Sequence, residues 1–253
     1  MLVGTPNRFF FDRDIARQLI RFGKYIFFAT VGGYIINQAD RAILGKLLSL
    51  DALALYSIGL MLASLPRLFA QTVSAQVIFP LYARRPPWES EESRRKINTA
   101  RRLLTGGAFL LSAVLAAIGI DLIIFLYDPR YEAAGPMVVL IALTMIPPAI
   151  LISYHRLPMA AGHSARFAVI TITLALLQLS TLFIGGLHFG LAGITLAPAI
   201  GNILFYPVLI YLIRSYKSWD PLHDALYFSL YFVLVALIFW WHGDQLWPLF
   251  KPL

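Results

Sequence analysis

No cysteine occurs in the 253 residues, so disulfides, thiolate metal sites and a cysteine nucleophile are all excluded. Charge is scarce as well: 13% of the residues are Asp, Glu, Lys or Arg, against roughly a quarter in soluble domains. The five histidines, His155, His163, His188, His223 and His242, are scattered over different connections and span ends without metal-ligand spacing. No Walker A loop, GxSxG or HExxH is present, which leaves an ATP-driven pump within this chain, or a hydrolase of those types, without support. Asp12-Arg13-Asp14 has the DxD form of metal-dependent glycosyltransferases, but too few residues precede the first apolar run to build a nucleotide-binding domain. Both acids read better as first-turn residues of a helix. Residues 1 to 10, MLVGTPNRFF, lack the short apolar core of a signal peptide, so insertion into a membrane is expected to use internal spans.

What is abundant is apolar surface. Hydrophobic residues make up 59% of the chain and the mean hydropathy is +0.72, which predicts an all-α integral membrane protein. A helix needs about 20 mostly apolar residues to cross the hydrocarbon core. Seven such spans are expected, at 20–39, 53–80, 103–126, 136–155, 166–186, 190–213 and 225–242, separated by breakers such as Pro86-Pro87, Asp128-Pro129, Gly135-Pro136 and Asp220-Pro221. The link at 186–190 is so short that spans five and six must form an antiparallel hairpin. No aqueous domain fits between any two spans.

The net charge of +8 is explained by topology. With the N-terminus cytoplasmic, sixteen of the 21 Lys and Arg fall on that side, as the positive-inside rule requires. Arg41, Lys46, Arg130 and Lys251 fall on the other side, and Arg67 lies within a span. No nucleic-acid partner is needed to account for the basicity; the membrane lipids are partner enough. Trp219, Trp240, Trp241 and Trp247 sit near predicted span ends, where interfacial aromatics collect. Before the first span, Phe11, Ile15, Leu19 and Phe22 recur at helical spacing opposite Arg13, Arg17, Arg21 and Lys24. That pattern predicts a basic amphipathic helix, residues 1–24, lying on an anionic leaflet before the chain turns in.

Two places combine polarity with membrane depth. Arg67 follows Pro66 in the middle of LMLASLPRLFAQTVSAQVIFP, where a guanidinium costs about 2.5 to 3.5 kcal/mol on insertion scales. Pro66 removes a backbone hydrogen bond and kinks the helix. Arg67 then either lines a water-filled cavity that receives an anion or pairs structurally with a carbonyl or with Gln71. The second place is INQADRAILGKLL, residues 36 to 48. If span one ends there, Asp40 and Arg41 sit at the interface. If the helix continues, Asn37, Arg41 and Leu44 share a face, Asp40 flanks it, and a polar stripe turns toward the bundle. Asp40 is then a candidate for coupling protonation to conformational change. Asp121, near the end of span three, is a second protonatable candidate close to the outer interface.

RFGKYIFFATVGGYIINQADRAILGKLLSLDALALYSIGLMLASLPRLFAQTVSAQVIFPLYAR, LYDPRYEAAGPM at 126 to 137 and GLHFGLAGITLAPAIGN at 186 to 202 resemble the polysaccharide-biosynthesis flippases, the O-antigen translocase group of the multidrug/oligosaccharidyl-lipid/polysaccharide exporter superfamily. The resemblance implies helices in two pseudo-symmetric lobes around a central cavity, with this chain corresponding to the second lobe (25–213) and one further helix and tail (214–253). It implies a transporter rather than an enzyme, with no cofactor and no metal. The substrate would be an oligosaccharide on undecaprenyl diphosphate, moved from the cytoplasmic to the periplasmic leaflet of a bacterial inner membrane. By the same resemblance, Arg67 and Arg41 lead as diphosphate-binding residues, Lys24 and Lys46 follow, Asp40 is a coupling residue, and Pro66 sets the kink. A lone lobe cannot alternate access, which requires one repeat to rock against another. The expectation is therefore a truncated reading frame, a separate chain supplying the first lobe, or a pairing of two copies. Two other classes stand beside this one. A membrane polymerase or ligase of lipid-linked sugars would carry a large outer loop with Arg and His, and a scaffold would tolerate neutralisation of Arg67 and Arg41.

Overall fold

The computed structural model describes residues 12–47 and 50–250, with side chains throughout except at 46–52. Among the described residues every regular element is helical. In hydrocarbon no water is present to satisfy backbone N–H and C=O groups, so a chain this apolar has little alternative. The elements are α1 (Arg13–Leu47), α2 (Leu50–Ala63), α3 (Leu65–Val73), a π turn (Ser74–Ile78), α4 (Phe79–Arg84), α5 (Glu91–Leu126), α6 (Gly135–Thr144), α7 (Ile146–His155), α8 (Leu157–Ala160), α9 (Ser164–Ile213) and α10 (Pro221–Leu246). Among the described residues five helical stretches are long and apolar enough to cross a membrane, and a sixth is formed by α2 with α3–α4, bent by 42°. The α9 stretch contains two crossings. At Gly190 the backbone has φ 57 and ψ −134, inside an otherwise helical run. The two arms, 164–189 and 191–213, fold back on one another: Thr181 Oγ1 donates to the Ala197 carbonyl at 3.2 Å, and Gly201 packs on Gln178. The hairpin expected from the short 186–190 link is thus present. Its arms cross where Gly185 meets Gly193, so closely that an added Cβ on either would overlap the other's carbonyl.

The core is arranged around span four. The stretch Pro129–Ala160 is 83% buried over its most apolar window, whereas the other spans that qualify singly are a third buried or less. Every residue of α6 from Met137 to Thr144 is buried. Small residues let the neighbours approach, as is usual where lipid removes the hydrophobic drive between helices. Gly119 of α5 meets Val138, and Gly59 of α2 meets Met137. Span four itself breaks at Met145 (φ −79, ψ −15), just before Pro147-Pro148, and Thr144 Oγ1 donates to the Ile141 carbonyl at 2.7 Å beside that break. In span two, Pro66 opens α3 and the π turn follows, with Ser74 Oγ donating across to the Ile152 carbonyl at 3.2 Å. The α10 helix is part of the same bundle, since Ile238 and Leu246 are buried in one apolar cluster and Tyr231 in the other.

Two expectations about the first helix are corrected. Within 12–24 the chain does not lie as a separate leaflet helix that turns in; α1 runs unbroken for 35 residues, about 52 Å at 1.5 Å per residue. No proline interrupts it, and Gly23, with open space around it, is insufficient to break a helix. Residues 1–11, including Phe11 of the amphipathic stripe, lie outside the described residues. Nor does the polar break at 36–41 end the helix. Thr30 and Asn37 bond their own backbone, at the Ile26 and Gly33 carbonyls, 2.9 and 2.6 Å away, so polarity is met without leaving the helix. The helix then passes beside α9, where Gln178 Nε2 donates to the Ile36 carbonyl at 3.2 Å.

Gly193→Val should disrupt the α9 hairpin, lowering stability by about 3 kcal/mol or more, because backbone has to move to admit the side chain. Gly23→Ala should be neutral or stabilising by about 0.5 to 1 kcal/mol. Unfolding midpoints of the two variants in one neutral detergent check both.

Candidate functional site

Continuation of α1 brings Asp40 against α2. Tyr56, 3% exposed, donates its hydroxyl to Asp40 Oδ2 at 2.9 Å. The other oxygen, Asp40 Oδ1, is buried and accepts no hydrogen bond among the described residues. Below this pair the kink at Ser64 to Pro66 sets the direction of α3, and Arg67, half-buried one residue beyond the proline, lies within electrostatic reach of Asp40, Tyr56 and Arg41. Among the described residues neither Gln71 nor any carbonyl takes a hydrogen bond from the Arg67 guanidinium, and its charge is balanced only at longer range by Asp40. Arg41 projects from an exposed face of α1, a turn of about 100° from Asp40.

Three of the residues singled out in the sequence, Asp40, Arg41 and Arg67, therefore lie within electrostatic reach of Tyr56 and of one another, without direct contact among the described residues, and Pro66 opens the helix that carries the arginine. Lys24 does not join them. It is exposed near the other end of α1, over the Tyr25 ring at 4.9 Å, about 24 Å from Asp40 along the helix. The Lys46 side chain lies outside the described residues. Among the described residues no group of three or more His, Cys, Asp or Glu is placed to hold a metal.

Sequence reading missed a second polar assembly at the arginine-rich end of the bundle. Arg101, fully buried on α5, donates from Nε to Ser153 Oγ at 3.1 Å, from Nη1 to Asn98 Oδ1 at 2.9 Å, and from Nη2 to Tyr82 OH at 3.0 Å and Ser218 Oγ at 2.9 Å. Its guanidinium lies 4.0 Å from the centre of the Tyr154 ring. Tyr154 in turn donates to Asp224 Oδ1 at 2.9 Å, and the fully buried Asp224 also accepts from Tyr206 at 3.0 Å and faces His223 Nδ1 at 2.8 Å. Span two, α5, α7, α9, the connection after it and the start of α10 are thereby tied together at one end. The charge is spread over neutral hydroxyls rather than met by a direct ion pair, a way to bury a guanidinium and a carboxylate with few lone pairs unmatched. The signal available in the sequence was Asp224 inside the first turn of an apolar span; Arg101 looked like one more charge of a basic loop.

At the edge of this assembly Asp220 caps α10, accepting from the His223 N–H at 3.2 Å, and pairs with Arg102 at 3.2 Å. Burial works to raise its pKa, but the His223 N–H and the Arg102 guanidinium together outweigh burial and hold the carboxyl below its ordinary value.

Long apolar spans packed around one buried span, two proline-linked breaks and charged groups held between helices define a multi-pass helical membrane protein with polar sites inside its bundle. The chain belongs to the polysaccharide biosynthesis protein family, whose pattern it matches over residues 3–136. It is 26% identical over 193 residues to the probable low-salt glycan biosynthesis flippase of Haloferax volcanii, an overlap that takes in 73% of this chain and 39% of that protein. The chain thus spans well under half the length of this curated relative. No solved structure matches it.

Arg101→Ala should cost roughly 3 kcal/mol or more of stability, as truncation of a buried charged hub does, read as an unfolding midpoint in detergent. Because the folded pKa of Asp220 is depressed, its contribution is complete above the ordinary carboxylate pKa of about 3.9 and is lost as the pH falls through the lower folded value. Wild type should therefore lose stability more steeply than Asp220→Asn below roughly pH 4, in a pH series of thermal unfolding.

Proposed function

We propose that this chain forms one lobe of a flippase for lipid-linked glycans, carrying an undecaprenyl-diphosphate-linked oligosaccharide from the cytoplasmic to the periplasmic leaflet for surface polysaccharide assembly, O-antigen included. Family membership supports polysaccharide biosynthesis, and the named activity of the Haloferax volcanii relative supports translocation. The observation that carries the reading is Arg67, half-buried beside the span-two kink with no direct carboxylate partner among the described residues and with Arg41 and Asp40 in range. A diphosphate requires charge-assisted donors, and an arginine fork supplies two in parallel. In this reading Arg67 and Arg41 receive the diphosphate. Asp40, whose Oδ1 has no partner, exchanges its charge with the substrate or a proton as the cavity changes sides. Lys46 is kept as a secondary contact, whereas the distance of Lys24 suits the entry leaflet better than the cavity.

The substrate is moved unchanged, which makes the protein a transporter and not an enzyme. Alternating access demands a second body opposite this one. It would be supplied by more of a longer chain, by a separate polypeptide or by a second copy. In this reading the protein resides in a bacterial inner membrane, and the gathering of Lys and Arg at one end supports that end, and the N-terminus, as cytoplasmic.

In a strain that depends on this gene, Arg67→Ala should abolish surface polysaccharide while membrane protein levels stay unchanged, and Arg67→Lys should restore only a small part of it because a single ammonium lacks the fork. Immunoblots of surface glycan beside blots of the protein measure both. Normal glycan in the Arg67→Ala strain would overturn the assignment.

A further inference from the structure

The fold-back of α9 brings its two ends together at the arginine-rich face of the bundle. Arg166 sits in the first turn and Arg214 just beyond the last. They line one groove of about 220 Å³ with Tyr211, Leu212 and Ser215. Each guanidinium lies near an aromatic ring, Arg166 at 5.1 Å from the Tyr216 centroid and Arg214 at 4.3 Å from that of Tyr211. Arg166 is further held by its Nη1 bond to Ser215 Oγ at 2.8 Å. Among the described residues no carboxylate comes within ion-pair distance of either. The contrast with the neighbouring groove of about 370 Å³ is informative: it too is lined by arginines, but there Arg94 meets Glu91 at 3.5 Å and Arg102 meets Asp220 at 3.2 Å. The Arg166 and Arg214 groove is the one that keeps two preset cations with nothing to neutralise them.

What lies beneath it points to the ligand. Leu204, Val208 and Tyr211 follow one another on an outward face of α9, 52%, 36% and 62% exposed, so an apolar track leads from the groove along the span toward mid-membrane. Two arginines above an apolar track match a phosphate headgroup above its acyl chains, and basic pockets between spans at a membrane surface are where anionic headgroups bind. We propose that Arg166 and Arg214 form a binding site for a phosphate group, supplied by an anionic phospholipid at this surface. The site is separate from the Asp40 and Arg67 cluster and does not depend on the flippase reading.

The test is native mass spectrometry of the full chain in a neutral detergent with phosphatidylglycerol or phosphatidylcholine added, beside calorimetric titration with inorganic phosphate. The wild-type chain should retain phosphatidylglycerol selectively. Arg166→Gln with Arg214→Gln should weaken retention by roughly tenfold or more, while Arg94→Gln with Arg95→Gln leaves it unchanged. Arg214→Gln alone, at an exposed side chain, keeps the test available if the double variant unfolds, and should lose about half of the selectivity on a logarithmic scale. Equal retention in the groove variants, or equal loss in the Arg94 and Arg95 variant, would overturn the site. Tight binding of inorganic phosphate at these arginines without lipid retention would overturn the lipid as its source.

Discussion

Hydrocarbon offers no hydrogen bonds, and that constraint governs both where this chain is regular and where it is irregular. Each departure from helix is covered by protein or bonded locally. The span-two bend at Ser64 to Pro66 is followed by a π turn whose Ser74 reaches the Ile152 carbonyl. The span-four break at Met145 lies in the most buried segment of the bundle, and the reversal at Gly190 is backed by the close crossing of Gly185 and Gly193. Several polar residues in helices are met in the same way, with Thr30, Asn37, Ser57 and Thr171 bonding carbonyls of their own turns.

The same medium divides the charges into two kinds. At the arginine-rich end, Arg101 and Asp224 are buried but surrounded by Tyr82, Tyr154, Tyr206, Ser153 and Ser218, whose hydroxyls take the hydrogen bonds that water would otherwise supply. Such an assembly holds six segments of chain in register, and most of its polar atoms find partners. Toward the other end, Asp40 and Arg67 are incompletely matched: one carboxylate oxygen is without a partner and the guanidinium has no close counter-ion among the described residues. A satisfied network fixes a structure, whereas an unsatisfied one retains the capacity to bind. That difference is why the less complete cluster, not the more elaborate one, is the one proposed to receive substrate.

Much was determined by sequence alone. Apolar runs of membrane length specified helical spans, breakers located their ends, the short 186–190 link required a hairpin, and Pro66 beside Arg67 announced a kink with a half-buried cation. These are local properties, fixed by chain length against bilayer thickness and by proline's missing N–H, and they survive any packing. Tertiary structure decided the rest. It continued α1 past a polar stretch that looks like an ending, because Asn37 satisfies itself on the Gly33 carbonyl and Asp40 finds Tyr56. It separated Lys24 from Asp40 by most of a membrane's thickness, though both belong to one helix. It also joined Arg101 to Ser218 and Arg166 to Ser215, pairs remote in the chain. Which charges meet across such distances depends on how helices pack, and no periodicity in a sequence records that.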